Sequence, residues 1–502
     1  MHRSALVAAT LLLSACTLGP NFTAPTAKAP EAWSAKPSQQ AGSVPVTAPI
    51  DPTWWKLFDD PELTKLESRV AAQNLDVRVA TIRIAESRAQ LGVVAAAELP
   101  TLEGDGSYQR QKASDNGAFA GLSTIAAGSG ANGAAGQTAG GVKGATLGAI
   151  DIYQAGFDAS WEVDLWGKTR RAIEAAGADV TATEETRRDT LLSALAEVAR
   201  DYLQLRGAQA RLQIARDNVK SAQQSLDLTR QRAEGGVTTD LDVANASAQV
   251  ATFQAQIPQL QQQERQLINA LSLLLGEPPQ ALAPELSAPR AQPPVPPKVP
   301  IGLPSELARR RPDVREALAR LHAATATIGV AEADFYPSFT LTGSVGLQAL
   351  QPWQMFDLTS MLYALGPSIS IPIFEGGRLK STLELRQDQQ KEAAVAYEKT
   401  VLNAWHEVDN SLTAYDAEQR RRNELVQAVV QNQRAFALAQ ERYQQGVADF
   451  LQVLDAQRNL LATQQLLADS TTTIDTDLVT IYKALGGGWE TDFPDQPVVA
   501  AK

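Results

Sequence analysis

The stretch LLSALAEVARDYLQLRGAQARLQIARDNVKSAQQSL, residues 191–226, places Leu191, Val198, Leu205, Leu212, Val219 and Leu226 at seven-residue intervals. Leu195, Tyr202, Ala208, Ala215 and Ala222 fill a second seam. An apolar repeat sustained for so long is the mark of helices packed as a coiled coil. Beyond Gly235-Gly236 a partner stripe follows at Phe253, Leu260, Leu267 and Leu274, with Ile257 and Leu271 between. Two such helices joined by a glycine turn make an antiparallel hairpin. From Gly167 to Gly235 the first arm runs ~70 residues, roughly 100 Å at 1.5 Å per residue. A soluble globular domain rarely needs an arm of that length.

The hairpin occurs twice. Gly167-Lys168 matches Gly377-Arg378, 210 residues later, and the same spacing carries Arg232 onto Arg442, Gly236-Val237 onto Gly446-Val447 and Leu275-Gly276 onto Leu485-Gly486. Upstream, Asp76-Val77 matches Asp313-Val314, Gly92-Val93 matches Gly329-Val330 and Pro100 matches Pro337, each 237 residues apart. The difference of 27 residues is an insertion in the first copy, in the Gly/Ala-rich stretch from Gly117 to Gly148, which reads as a long loop. Each copy reads as helix, strand pair, very long helix, glycine break, long helix. The expected division is a signal peptide over 1–15, an extended tether over 16–52, a first repeat over 53–277, a proline-rich non-helical linker over 278–304, a second repeat over 305–489 and a tail over 490–502.

The strand pairs alternate with period two. Leu102, Gly104, Gly106 and Tyr108 oppose Glu103, Asp105, Ser107 and Gln109; Tyr153, Ala155, Phe157, Ala159 and Trp161 oppose Gln154, Asp158, Ser160 and Glu162. In the second copy Leu341, Gly343, Val345 and Leu347 oppose Thr340, Thr342, Ser344 and Gln348, while Leu365, Pro367, Ile369, Ile371 and Ile373 alternate with Ser368 and Ser370. Segments of about ten residues, apolar on one face and polar on the other, suit a membrane β-barrel. Four strands are too few to close, eight fill their own interior, and twelve leave a lumen. The expected fold class is therefore an α+β membrane protein. Its homotrimer shares one twelve-stranded barrel, continued by long antiparallel helical hairpins.

The amino terminus points to the same membrane. After Arg3, Leu6 to Leu13 is an apolar run too short to span a bilayer, and it reads as the core of a secretory signal. Leu13-Ser14-Ala15-Cys16 then has the pattern of a lipoprotein cleavage box, and Cys16 is the only cysteine in the chain. Its thiol is expected to carry a diacylglyceryl group and its amine an acyl chain, enough for stable anchoring. Thr17 stands where an aspartate would favour the inner membrane, so outer-membrane lipids are the expected surroundings. With Arg3 gone, 44 of the 45 basic residues face 56 acidic ones, a net charge of −12 that disfavours nucleic acid. His322 and His406 stand apart, and no metal box, phosphate loop or nucleophile elbow is present, so neither cofactor nor catalysis is expected.

Several motifs resemble the TolC/OprM family of outer membrane factors. They include Cys16-Thr17-Leu18-Gly19-Pro20-Asn21-Phe22, Trp54-Trp55-Lys56-Leu57-Phe58, Arg309-Arg310-Arg311-Pro312-Asp313 and Ala333-Asp334-Phe335-Tyr336-Pro337. Phe374-Glu375-Gly376-Gly377-Arg378, Leu454-Asp455-Ala456-Gln457-Arg458 and Tyr482-Lys483-Ala484-Leu485-Gly486-Gly487-Gly488-Trp489 extend the likeness over nearly the whole mature chain. The resemblance implies the exit duct of a tripartite efflux system, with a periplasmic adaptor and an inner-membrane RND transporter as partners. It also implies a twelve-helix tunnel, closed at its inner tip until they dock. Matched onto this family, Asp455 falls on a constricting acidic position, Tyr443 on a latch tyrosine and Asp242 on its acidic partner. Ala448 and Gln452 depart from the TolC pattern, which has an arginine and a second ring aspartate there. Gly235, Gly236, Gly446 and Val447, at the two turns, are the expected adaptor contacts, because small residues let a partner helix approach.

A type I secretion duct of the same fold is the nearest rival, and genes for an adaptor and an RND pump beside this one would decide against it. A lipid-anchored coiled-coil scaffold without a pore predicts neither conductance nor a heat-resistant trimer. A carboxylate hydrolase would need two converging carboxylates, and no such pair stands out.

Overall fold

The computed structural model describes residues 17–26, 29–34, 42–112 and 149–491. Cys16, the Gly117–Gly148 stretch and the tail from residue 492 lie outside them. In chain order the elements are β1 (Val44–Val46), α1 (Pro61–Gln73), α2 (Leu75–Ala95), β2 (Thr101–Gln111), β3 (Ile150–Glu162), α3 (Lys168–Glu234), α4 (Asp240–Leu274), α5 (Ala283–Leu286), β4 (Lys298–Pro300), α6 (Pro304–Arg310), α7 (Pro312–Ala333), β5 (Ser338–Ala349), β6 (Met361–Ser370), α8 (Arg378–Gln444) and α9 (Phe450–Ala484). The chain divides into two units. One holds Met1–Asn21, Gln90–Ala176 and Thr325–Asp388, and the other holds Phe22–Ala89, Gly177–Ala324 and Gln389–Lys502. Among the described residues no helix is long and apolar enough to cross a membrane.

The first unit is built on an antiparallel sheet of order β2-β3-β5-β6. Residues opposite one another across a ladder share a face. The register lines up Gly104, Phe157, Val345 and Tyr363, and beside them Leu102, Ala159, Gly343 and Leu365. The other face carries the rows Glu103, Asp158, Ser344, Ala364 and Thr101, Ser160, Thr342, Gly366. One face is thus apolar and the other polar across all four strands, and both are open to solvent: Phe157, Val345, Tyr363 and Leu365 are exposed. The last strand is shorter than its alternation suggests. It ends at Ser370, so Ile371 and Ile373 lie beyond the sheet.

The second unit carries most of the helix and the core. The long helices α3 and α8 have 67 residues each, and α4 and α9 have 35 each. In α3 the repeat Leu191, Val198, Leu205, Leu212 and Leu226 is buried, and Val219 is half-buried. The second seam slips by one residue. It begins at Leu195, Tyr202 and Gln209 and continues at Ala208, Ala215, Ala222 and Thr229, all buried. A helix of 3.6 residues per turn drifts about 20° per heptad against a strict seven-residue repeat, or roughly one residue over five heptads. In α4 the buried line is Ala246, Val250, Phe253, Ile268 and Leu271, reaching Leu275. Leu260, Leu267 and Leu274, expected at its centre, are half-buried.

The core centres on Trp54, which is fully buried, stacks on Tyr482 with ring centroids 5.3 Å apart and donates through its indole N–H to the carbonyl of Gly487 at 3.0 Å. The guanidinium groups of Arg188 and Arg315 lie 4.8 and 5.3 Å from the Trp489 ring centroid, and both arginines pair with the buried Glu185. The breaks between the paired short helices use one device twice. Asn74 donates to the carbonyl of Leu274 at 2.9 Å, and Arg311, 237 residues later, donates to that of Ala484 at 2.9 Å.

Of the connecting segments, one gains contacts and the other needs correction. The segment from Thr17 to Pro52 is held along its described length: Phe22 stacks on His322, Ser34 hydrogen-bonds Asp409, Ser43 bonds Tyr415 and Gln419, and β1 pairs in parallel with β4. The proline-rich linker contains a helical turn, α5, whose Pro284 occupies the first turn, where a missing N–H leaves no bond unmade.

Candidate functional site

The hairpin turns are made alike. At the end of α3 the amide of Gly236 donates to the carbonyl of Ala233 at 2.9 Å and that of Val237 to Arg232 at 2.9 Å. At the end of α8 the amides of Gly446 and Val447 donate to Tyr443 at 3.0 Å and Arg442 at 2.9 Å. This pair of bonds needs a left-handed residue just past the helix, and Gly236 (φ +70°) and Gly446 (φ +75°) supply it. Gly235 has no positive φ. Val237 and Val447, next in line, are 65 % and 63 % exposed, and Leu241 and Leu451 extend the apolar surface onto the following helices.

Behind the turns, side chains of both hairpins share a core: Ala222, Leu226, Ala246, Val250 and Phe253 from the first, and Tyr443, Phe450, Val453, Leu454 and Leu461 from the second. Tyr443 is buried and meets the edge of Phe450 at 5.4 Å. Arg232 reaches across from α3. Its guanidinium lies over the Tyr443 ring, 4.7 Å from the centroid, and its Nη1 donates to the carbonyls of Tyr443 at 2.7 Å and Gln444 at 2.9 Å. These carbonyls belong to the last turn of α8, where the helix dipole is negative, and that of Tyr443 accepts from the Gly446 amide as well as from Arg232. One arginine of the first hairpin therefore caps the terminus of the second.

The expected Tyr443–Asp242 pair is not formed. The Tyr443 hydroxyl donates to Thr229 Oγ1 at 3.5 Å, a long bond. The Asp242 carboxylate instead accepts from the hydroxyls of Thr238 and Thr239, closing the first turn of its own helix α4. Asp455 and Gln452 lie on the exposed side of α9, opposite the buried Val453 and Leu454. Arg232 escaped the sequence reading. Its only signal there is its match with Arg442, and Arg442 is exposed, so the two copies use the same arginine differently. Among the described residues no cluster of His, Cys, Asp or Glu is placed to hold a metal.

The family model for outer membrane efflux proteins matches residues 66–277 and again 303–487. The antibiotic efflux pump outer membrane protein ArpC of Pseudomonas putida is 33 % identical over 490 residues, covering 96 % of this chain and 95 % of the relative. The outer membrane protein OprJ of Pseudomonas aeruginosa is 33 % identical over 489 residues, covering 97 % and 96 %. The solved outer-membrane channel OprN superposes with a TM-score of 0.82 at 34 % identity, over 95 % of this chain and all of that one. The chain belongs to the outer membrane efflux protein family, as an exit channel in the outer membrane.

Proposed function

We propose that three copies of this chain close their four-stranded sheets into one twelve-stranded barrel, through which an RND-type pump, coupled by a periplasmic adaptor, passively discharges its substrates. The observation that carries this reading is the open sheet, apolar on one face and polar on the other, with β2 and β6 unpaired at its edges. Edges of that length invite pairing with another chain. Closure by rotation joins β6 of one protomer to β2 of the next. The apolar rows then face lipid and the polar rows a lumen. Lipid on Cys16 anchors each protomer in addition.

The helix tips form the gate. The clasp of Arg232 on the end of α8 holds the two hairpins together, in place of the Tyr443–Asp242 bond. Asp455 and Gln452 lie on a free side of α9, and Asp455 converges with its symmetry copies on the axis, where like charges attract cations. Val237, Leu241, Val447 and Leu451 offer the adaptor a repeated apolar contact around Gly235, Gly236 and Gly446. The test is a deletion strain, expected to gain drug susceptibility, together with purified protein in planar bilayers. A heat-resistant trimer that conducts is the expected result. A monomer without conductance would sink the reading.

A further inference from the structure

The helical unit contains a cleft of about 610 Å³, walled by α3, α8, α9 and the chain entering α7. Asp189 of α3, Asn410 of α8 and Thr480 of α9 line it, and each stands two residues from a member of the core: Leu191, Val408 and Leu478. Two residues are more than half a turn of an α-helix, so the cleft opens on the side of these helices turned away from the core.

The charges in the cleft are unevenly matched. Arg311 is fully engaged. It donates through Nε and Nη2 to the two carboxylate oxygens of Asp313 at 2.9 and 2.7 Å, and through Nη1 to Glu407 at 2.6 Å and the Ala484 carbonyl at 2.9 Å. The side chains of Asp189 and Lys483, also in the lining, make no hydrogen bond or ion pair among the described residues. Burial raises the Asp189 carboxyl to about 6, Asp313 and Glu316 add to this, and Lys483 and Arg311 oppose it. Three carboxylates, Asp189, Asp313 and Glu407, thus face two cations, Arg311 and Lys483, and negative charge is in excess. Most of the open lining is apolar, with Leu192 and Ala484 in it. An apolar cleft with one unpaired carboxylate suits an organic ammonium, whose body leaves water while its charge meets the acid.

We propose that this cleft binds amphiphilic organic amines, with Asp189 as the ion-pair partner, Leu192 and Ala484 against the apolar body, and Lys483 as a like charge that limits affinity. Weak holding lets an amine leave again, as a duct requires. The core and the short helices packed into it would fill a lumen, so the face opposite the core is the one that lines it; this placement rests on the trimeric reading above.

The full-length protein in nanodiscs is titrated calorimetrically with 1-aminoadamantane, a compact apolar amine, and with 1-adamantanol and 1-adamantanecarboxylate, which share its body. Empty nanodiscs serve as the blank. Saturable heat from the amine alone is the expected result. Asp189→Asn should weaken the amine by roughly tenfold or more, as loss of an opposite charge within a few ångströms does. Lys483→Gln should tighten it, and a merely structural role would not give changes of opposite sign. Affinity in the parent should fall as pH drops below about 6, where Asp189 gains its proton, and stay level in Asp189→Asn. If Asp189→Asn fails to assemble, Thr480→Trp at the exposed mouth serves instead, with loss of the amine heat expected. No saturable amine binding to a trimer that conducts in planar bilayers overturns the site and leaves the duct standing. Equal binding of the alcohol, or unchanged affinity in the variant that assembles, also overturns it. Amine binding to a monomer that does not conduct would keep the cleft and overturn the duct.

Discussion

In the proposed gate, Arg232 makes more contacts between the two hairpins than the residues that family resemblance singles out. Its two bonds are charge-assisted, about 1.5–3 kcal/mol each at most, and its ring contact adds about 0.5–2 kcal/mol. Arg232→Ala should raise single-channel conductance in planar bilayers. Tyr443→Phe loses only a 3.5 Å hydroxyl contact and should conduct like the parent. Asp242→Ala should weaken the start of α4 by about 0.5–2 kcal/mol without opening the channel, a distinction that thermal unfolding and conductance together resolve. A second carboxylate makes a pH prediction. Asp475 is 1 % exposed with no hydrogen-bond partner for either oxygen among the described residues, and burial raises its pKa to about 8, with Arg422 opposing in part. A group with a raised folded pKa favours the fold fully only below its unfolded pKa, near 3.8. That contribution drains away as pH climbs towards 8, by at most about 1.4 kcal/mol per unit. Asp475→Asn should therefore gain on the parent in unfolding temperature from pH 4 to 8 and no further above it. A constant difference across that range would count against a buried protonated acid.

At the scale of elements, the two turns separate strain from recognition. Gly236 and Gly446 have open space for a methyl, or nothing nearer than 3.6 Å, yet both hold positive φ. Alanine there costs roughly 1–2 kcal/mol of backbone strain, so a loss of efflux on substitution would mix two causes. Val237 and Val447 are free of that strain. Val237→Glu with Val447→Glu should leave the trimer and its surface level intact while abolishing efflux and crosslinking to the adaptor; normal efflux would place docking elsewhere. The described parts of the segment from Thr17 to Ser43 show why extended composition is a poor guide to freedom. Its prolines keep it from becoming a helix, but its carbonyls and side chains are still available to bond the helices it crosses.

At the scale of the whole molecule, the register of the sheet turns the barrel into a test with two faces. Val345 lies in the apolar row with Phe157 and Tyr363, and Thr342 in the polar row with Ser160 and Gly366. In a barrel with lipid outside, Val345→Arg should cost about 2–4 kcal/mol near the bilayer centre and deplete the heat-resistant trimer in outer-membrane fractions. Thr342→Arg should assemble and alter ion selectivity. Equal damage from both would argue for a soluble sandwich. Bypassing Cys16 with a non-lipoprotein signal should still yield trimer, because strand pairing holds more firmly than acyl chains.

Much of this architecture was legible in the residues. A period of seven with a glycine break dictates a helical hairpin, and a period of two dictates a half-apolar strand, because each side chain's direction follows from the backbone rotation per residue. That local geometry carried the lengths of the long helices, the faces of the strands and the positions of the turns at Gly236 and Gly446. Which groups meet across elements does not follow from local rotation. Asp242 turned inward to its own Thr238 and Thr239, Arg232 found the carbonyls of α8, Pro284 sat inside a helical turn, and Gly19 pressed onto Gly329. Asp242 and Pro284 settle local choices that period alone leaves open, whereas Arg232 on α8 and Gly19 on Gly329 depend on chain segments far apart in sequence arriving within a few ångströms, where carbonyl acceptors and close backbone approach select the partner, and only the tertiary structure decides that.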